Sequence, residues 1–349
     1  MSGFIPGLDL SRAFYTEVVA PLAGSLPHSA ALVGPGSEVL AFDTARSVDH
    51  DWGPRVLVFV PPGCEQEATE RIVPRLPASF RGYRTVFPYH EVDQPGVVVS
   101  ELGGWLRGLL GFDPRQGMDV LDWLSAPWQR LAEVTCGEVF HDGLGEGLGD
   151  GIGEGGLEDA RAALRWYPES IWRYVLACQW RRIAQEEPFV GRCGEVGDDV
   201  GSAVNTARLA REVMRLALLL RRRYPPYAKW LGSAMARLPG SAEVSQALAT
   251  ALAGRTWRER QAGLSAAYER VAAWHNRIAL TEPLPARVRA FHSRPFEVIG
   301  GERFAEALLS GGELAALPPT GSIDQLTDSV DVLMRPPLAR ALTRAALGL

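Results

Sequence analysis

Cysteine is scarce in this chain: 349 residues contain four, at positions 64, 136, 178 and 193, with no Cys-x-x-Cys pair among them. That spacing argues against a zinc frame or a disulfide scaffold and fits reduced thiols in a cytoplasmic protein. Long apolar runs are missing too. The longest helical one, Leu216 to Leu220, runs into Arg221-Arg222-Arg223, far short of a membrane span. The first ten residues lack a basic region followed by an apolar one, so no secretory signal is expected. Positive charge is not in excess: 36 Lys and Arg face 41 Asp and Glu, a net charge of -5, which gives no field for bulk nucleic-acid binding. The six histidines are scattered without His-x-x-x-His or Glu-x-x-His spacing, and no Gly-x-Ser-x-Gly elbow suggests a serine hydrolase. His275, between Trp274 and Asn276, reads as a satisfied helix histidine rather than a catalytic base.

What remains is an ordinary globular composition, 46% hydrophobic and 22% charged, at a length that allows two domains. Leu10, Phe14, Val18 and Leu22 recur at helical spacing, so Leu8 to Leu26 reads as an amphipathic helix capped at Asp9 or Ser11. Strand candidates follow at Ala30 to Val33, Arg55 to Val60, Tyr83 to Phe87 and Val97 to Ser100, with helices at Glu65 to Leu76, Leu102 to Leu110 and Val120 to Leu124. Mixed strands and helices predict an α+β class. Gly143 to Gly156 alternates glycine with other residues and reads as a flexible linker or surface insertion. Beyond it the period turns helical. Trp172, Leu176, Gln179 and Ile183 share a face after Pro168, and further helices cover about Val200 to Arg223, Tyr227 to Met235, Ala242 to Leu252 and Trp257 to Ile278. The expected organisation is a sheet domain over 1–142, a linker over 143–156, a helical domain over 157–283 and a tail over 284–349 of uncertain packing.

The stretch Leu32 to Val60 carries most of the chemistry. A tight Gly34-Pro35-Gly36-Ser37 turn follows the first strand candidate, and Asp49 and Asp51 lie one residue apart before the next. On an extended backbone residues i and i+2 point the same way, so these two carboxylates would project together and suit a hard cation such as Mg²⁺. Gly36 lets the chain approach a phosphate, and the amides and hydroxyl around Ser37 can donate to it. The other reading of Asp49 and Asp51 is a polar turn ahead of a buried strand.

Gly-Ser-Glu-Val-Leu-Ala-Phe-Asp, Asp-His-Asp-Trp-Gly-Pro-Arg, Phe-Val-Gly-Arg and Tyr-Pro-Pro-Tyr-Ala-Lys-Trp resemble the nucleotidyltransferase superfamily of the kanamycin and streptomycin enzymes, and an uncharacterised domain-of-unknown-function family related to it. The resemblance implies an N-terminal nucleotidyltransferase-fold mixed sheet domain followed by an α-helical domain. It implies Mg²⁺ held by Asp49 and Asp51, an NTP (ATP first among them) gripped at Gly36 and Ser37, and Lys229 against the triphosphate. It further implies transfer of a nucleoside monophosphate to a small-molecule hydroxyl, with no nucleic-acid or membrane partner. Without it, Lys229 is simply an exposed charge at a helix start.

Three features depart from the pattern, one being that the Asp-x-Asp sits one residue further from the Gly-Ser turn than in the kanamycin enzyme. The strand expected to carry a third acid reads Val97-Val98-Val99-Ser100, flanked by Glu91 and Glu101, and Ala41 stands where glycine is common. The missing acid motivates an alternative, a nucleotide- or partner-binding protein of the same fold whose catalytic site has decayed. Arg208, Arg211, Arg215 and Arg222 fall on one predicted helix face, either as a phosphate-binding face or as a solvated one partnered by Glu212. Arg192 carries the same two readings. Asp198-Asp199 would cap the following helix or, less simply, bind an amine.

Overall fold

A computed structural model describes residues 3–49, 52–89, 92–144 and 155–349. The chain divides into two units, Met1–Asp122 with Gln129–Arg165, and Trp123–Trp128 with Trp166–Leu349.

The first unit is built on a four-stranded mixed sheet in the order Val97–Glu101, Val56–Val60, Ser29–Leu32, Glu138–Asp142. Val56–Val60 pairs parallel with Val97–Glu101 (Val56 opposite Val97) and antiparallel with Ser29–Leu32 (Ser29 opposite Phe59). Period-2 alternation along Val56–Val60 sends Val56, Val58 and Val60 into a core with Leu10, Phe14, Val19, Ile72 and Val97. The helix over this face is Gly7–Phe14, but its next turn, Tyr15–Val19, is π-helical before Ala20–Ala23 resumes. The extra residue in that turn rotates the buried stripe from the expected Phe14, Val18, Leu22 to Phe14, Tyr15, Val19, Ala23. No side chain caps this helix; Pro6 precedes it, and Asp9 pairs with Arg12 instead. The expected strand Tyr83 to Phe87 is broken into Tyr83–Arg84 and Val86–Tyr89, and the latter forms a hairpin with Val92–Pro95. Of the glycine-rich stretch, residues 145–154 lie outside the described residues, while Gly156 precedes the helix Leu157–Ala163.

The second unit is helical. Its long members are Glu169–Glu186, Asp199–Leu220 and Trp257–Ile278, the last started by a capping box between Thr256 and Glu259. The tail belongs to this unit. Its helix Gly301–Leu309 lies against Glu169–Glu186, where the Phe304 and Trp180 rings stack at 4.3 Å and a Cβ on Gly301 would come within 2.7 Å of the Trp180 carbonyl oxygen. The start of that tail helix is held by buried Glu187, whose carboxylate accepts from the Ile299, Gly300 and Gly301 amides at 2.6, 3.1 and 3.0 Å. No helix among the described residues is long and apolar enough to cross a membrane.

Candidate functional site

The turn after Ser29–Leu32 is set by two glycines with positive φ, Gly34 at 88° and Gly36 at 147°, conformations an L side chain rarely adopts. Gly34 is tied to the neighbouring helix Trp128–Thr135 through its amide, which donates to the Glu133 carbonyl at 2.8 Å. Beneath Gly36 lies an ion pair: Arg55 Nη2 sits 2.9 Å from Glu38 Oε1 and donates to the Pro35 carbonyl at 2.6 Å. A Cβ on Gly36 would meet Arg55 Nη2 at 2.6 Å and Glu38 Oε1 at 2.7 Å, so glycine is required by space as well as by φ. Glu38 is only 1% exposed; burial pushes its carboxyl up, and Arg55 opposes that shift.

The rest of the Gly-Ser-Glu-Val-Leu-Ala-Phe-Asp stretch is a chain of turns. The Phe42 amide donates to the Ser37 carbonyl, Ala41 to Glu38 and Gly137 to Val39. Asp43 accepts from the Gly7 amide at 2.7 Å and the Trp52 indole at 3.2 Å, joining the first helix to the segment before the second strand. Ala41 has φ 55°, so the position where the resemblance expects glycine still demands a left-handed residue. Two donors stand out. Among the described residues, the Gly36 and Ser37 amides donate to no protein group, and both residues are half-buried. The Ser37 hydroxyl makes one long contact, 3.4 Å to Glu38 Oε2.

Asp49 does not lie on an extended strand. Asp49 ends a 3-10 helix, Ala45–Asp49, and is exposed, whereas the strand starts only at Val56. Asp51 and His50 lie outside the described residues. The chain bends at Gly53 and Pro54 before the strand begins. Trp52 is buried against Phe4 and Tyr83, and a Cβ on Gly53 would strike the Phe87 ring at 2.9 Å. The i, i+2 geometry expected of an extended Asp-x-Asp is therefore not the backbone found at Asp49. Of the acids nearby, Glu38 pairs with Arg55, and Asp43 accepts from Gly7 and Trp52. Glu101 caps the helix Leu102–Leu110 by accepting from the Gly103 amide at 2.5 Å and from Gly104. Glu91 lies outside the described residues. No group of three or more metal-ligating side chains occurs among the described residues.

Lys229 is exposed in the first turn of Ala228–Ala236, with Nζ 4.3 Å from the Trp230 ring centre. It is also the single lysine of the chain, against 36 basic residues in all, a signal that composition alone could have raised. The arginine face resolves into structural pairs. Arg208 donates to Glu186 at 2.9 and 2.6 Å, and Arg211 to Asp328 at 3.1 Å. Arg215 lies 3.6 Å from buried Glu212 and donates to the Asp324 carbonyl oxygen at 3.2 Å. Arg222 is not on that face, since the helix ends at Leu220 and Arg222 turns left-handed (φ 53°) to stack on Trp172. Arg192 lies over the Phe189 ring, and Asp198 is the helix cap, accepting from the Gly201 amide at 2.7 Å. Glu38 and Arg55 are the residues that sequence reasoning passed over. Their signal is an acid set into the run Ser37-Glu38-Val39-Leu40 and a base at the mouth of a buried strand.

Residues 123–231 match a family described as a domain of unknown function (DUF4037). The match covers under a third of the chain; it includes Lys229 and stops short of the Gly36 to Asp51 stretch. A nucleotidyltransferase-like protein of known structure from Exiguobacterium sibiricum 255-15 is similar at 12% identity and a TM-score of 0.35, over 77% of this chain and 76% of that one. At that level the likeness carries no conclusion about this chain. No functionally curated protein matches.

Proposed function

We propose that the protein binds an NTP through the Gly36–Ser37 turn and is a nucleotidyltransferase-like enzyme acting on a small-molecule hydroxyl. The observation that carries this reading is the pair of unengaged amides at Gly36 and Ser37, on a turn whose glycine leaves no side chain in the way. Successive amide donors on such a turn form a concave anion site suited to phosphate oxygens. Lys229 is the second unit's own candidate phosphate contact: a cation in the first turn of a helix is disfavoured by the helix dipole unless an anion comes to it.

Asp49 and Asp51 would hold Mg²⁺. Their hard carboxylate oxygens suit that ion, and Asp49 is at the surface. Bound there, the cation would neutralise charge on the phosphates and on the departing pyrophosphate. In the reaction the acceptor oxygen forms a bond to the α-phosphorus, and the bond from that phosphorus to the bridging oxygen breaks. Pyrophosphate leaves with the electron pair, and the hydroxyl proton passes to water. The turn amides would position the triphosphate for in-line attack.

The second reading, a nucleotide-binding protein without turnover, is favoured by the fate of Glu101, which is spent on capping and leaves Val97–Glu101 without an available third acid. Incubation with α-labelled NTP, Mg²⁺ and a panel of hydroxyl acceptors separates the two. Label transfer abolished in Asp51→Asn supports the enzyme; NTP binding without transfer to any acceptor supports the second reading. Transfer unchanged in Asp51→Asn overturns the assignment of that pair.

A further inference from the structure

A pocket of about 180 Å³ opens in the first unit, past the end of Ser29–Leu32 and beside the starts of Val56–Val60 and Val97–Glu101. It is lined by Pro35 and Arg55 from the turn, Leu57 and Val98 from the strands, Phe87 and Gln94 from the hairpin, and Trp105 from the helix Leu102–Leu110. Nothing in the transfer reaction above uses it. Trp105 is braced by Phe59, ring centres 5.1 Å apart, and Phe87 is buried, so two aromatic walls are fixed before any ligand arrives. Val98 is 43% exposed at the sheet surface.

The polar groups decide what the pocket takes. Arg55 spends only Nη2 on Pro35 and Glu38; its Nε is shielded from solvent with no acceptor, and Nη1 has no hydrogen bond among the described residues. Its charge is already balanced by Glu38 at 2.9 Å, so the site offers Nη1 as a donor without net positive charge. An anion gains little there, while a neutral carbonyl or ring nitrogen satisfies the guanidinium. The Gln94 amide can both donate and accept, which suits an exocyclic amine or ring N–H beside that acceptor. The volume is slightly above the roughly 150 Å³ that takes benzene, enough for one six-membered ring with one or two substituents.

We infer that this pocket binds a neutral, planar heteroaromatic ring bearing a carbonyl acceptor, of the pyrimidine-base or nicotinamide type. This stands whether or not the protein transfers nucleotides. The ring can arrive free or as the base of a nucleotide, and the two sources separate experimentally.

Ligand-observed NMR and calorimetry on the full chain, with cytosine, nicotinamide, CMP, benzoate and toluene as probes, test it. Cytosine or nicotinamide should bind with a dissociation constant on the order of 1 mM, as expected of ligands with eight or nine heavy atoms. Benzoate and toluene should be at least roughly tenfold weaker, lacking respectively the neutrality and the acceptor. Tighter binding of CMP than of cytosine assigns the pocket to a nucleotide base, and the reverse assigns it to a free ring. Val98→Trp fills the mouth from an exposed position and should abolish binding, and Gln94→Leu should weaken it about fivefold. Circular dichroism confirms that both variants are folded. Heterocycle binding that survives Val98→Trp, benzoate binding as tight as cytosine, or no binding by any neutral ring overturns the inference.

Discussion

Two buried groups of the second unit titrate with opposite signs, and removing one should expose the other. Asp324 is buried and accepts the Trp128 amide at 2.8 Å; burial, only partly offset by that hydrogen bond and by Arg215, raises its carboxyl to about 6. A carboxyl raised in the folded state holds its proton more tightly there. Its contribution is complete below the unfolded value near 4 and is lost as pH rises through 6. At roughly 1.4 kcal/mol per pKa unit, that loss is about 3 kcal/mol. His275 runs the other way. Burial lowers it to about 4, and its Nδ1 accepts from the Trp180 indole at 3.2 Å, which a proton on Nδ1 would forbid. Its contribution is complete above about pH 6.5 and is lost as pH falls through 4, again by about 3 kcal/mol. In the wild type the two slopes nearly cancel between pH 4 and 6.5.

Asp324→Asn keeps an acceptor for Trp128 and removes one titration, so stability should rise with pH by about 3 kcal/mol over that range. For a unit of this size that is roughly 10 °C in melting temperature. His275→Gln should show the opposite slope. Urea titrations followed by circular dichroism at half-unit pH intervals measure both. A pH profile of Asp324→Asn parallel to that of the wild type refutes the reasoning, because Asp324 would then not be protonated in the folded state near pH 5.

Gly36→Ala must push a methyl group against Arg55 Nη2 and Glu38, with φ at 147°, and should cost about 1–2 kcal/mol, read as a lower melting temperature. An unchanged melting temperature contradicts the packing described. Ala41→Gly should do the reverse, stabilising by up to about 1 kcal/mol, since Ala41 already sits at φ 55° with its side chain exposed. Because Lys229 is the single lysine, an amine-directed reagent reports on that side chain and the N-terminus alone. Under the proposed function, Mg²⁺ and an NTP should protect Lys229 severalfold in a peptide-mapped labelling experiment, and equal labelling with and without nucleotide speaks against its contact.

The long helices are legible because their apolar period and end signals agree. Trp257–Ile278 begins at the Thr256–Glu259 capping box and matches the sequence reading at both ends. Glu138–Asp142 is not legible: Glu-Val-Phe-His-Asp holds two apolar residues in five, and it becomes a strand only because Ser29–Leu32 offers it a partner. The helix Trp128–Thr135 escapes notice because its buried face, including Trp128, Leu131 and Val134, is mixed with Arg130 and Glu133, whose ion pair at 2.6 Å makes two charges tolerable inside. At the candidate site the glycine turn can be read from sequence, since positive φ has a residue signature. The Glu38–Arg55 pair cannot, because it joins residues 17 apart that neither periodicity nor spacing links. Nor does Asp-x-Asp reveal that Asp49 closes a 3-10 turn. That follows from how Trp52, Gly53 and Pro54 pack, which is a tertiary matter.

In the proposed complex a polyphosphate meets the Gly36 and Ser37 amides, and backbone amide NMR of the isotope-labelled protein tests this at those two atoms. Addition of ATP with Mg²⁺ should move the Gly36 and Ser37 amide protons downfield in a saturable way. Nucleotide binding that leaves both signals in place, or no binding by any of the four NTPs, contradicts it.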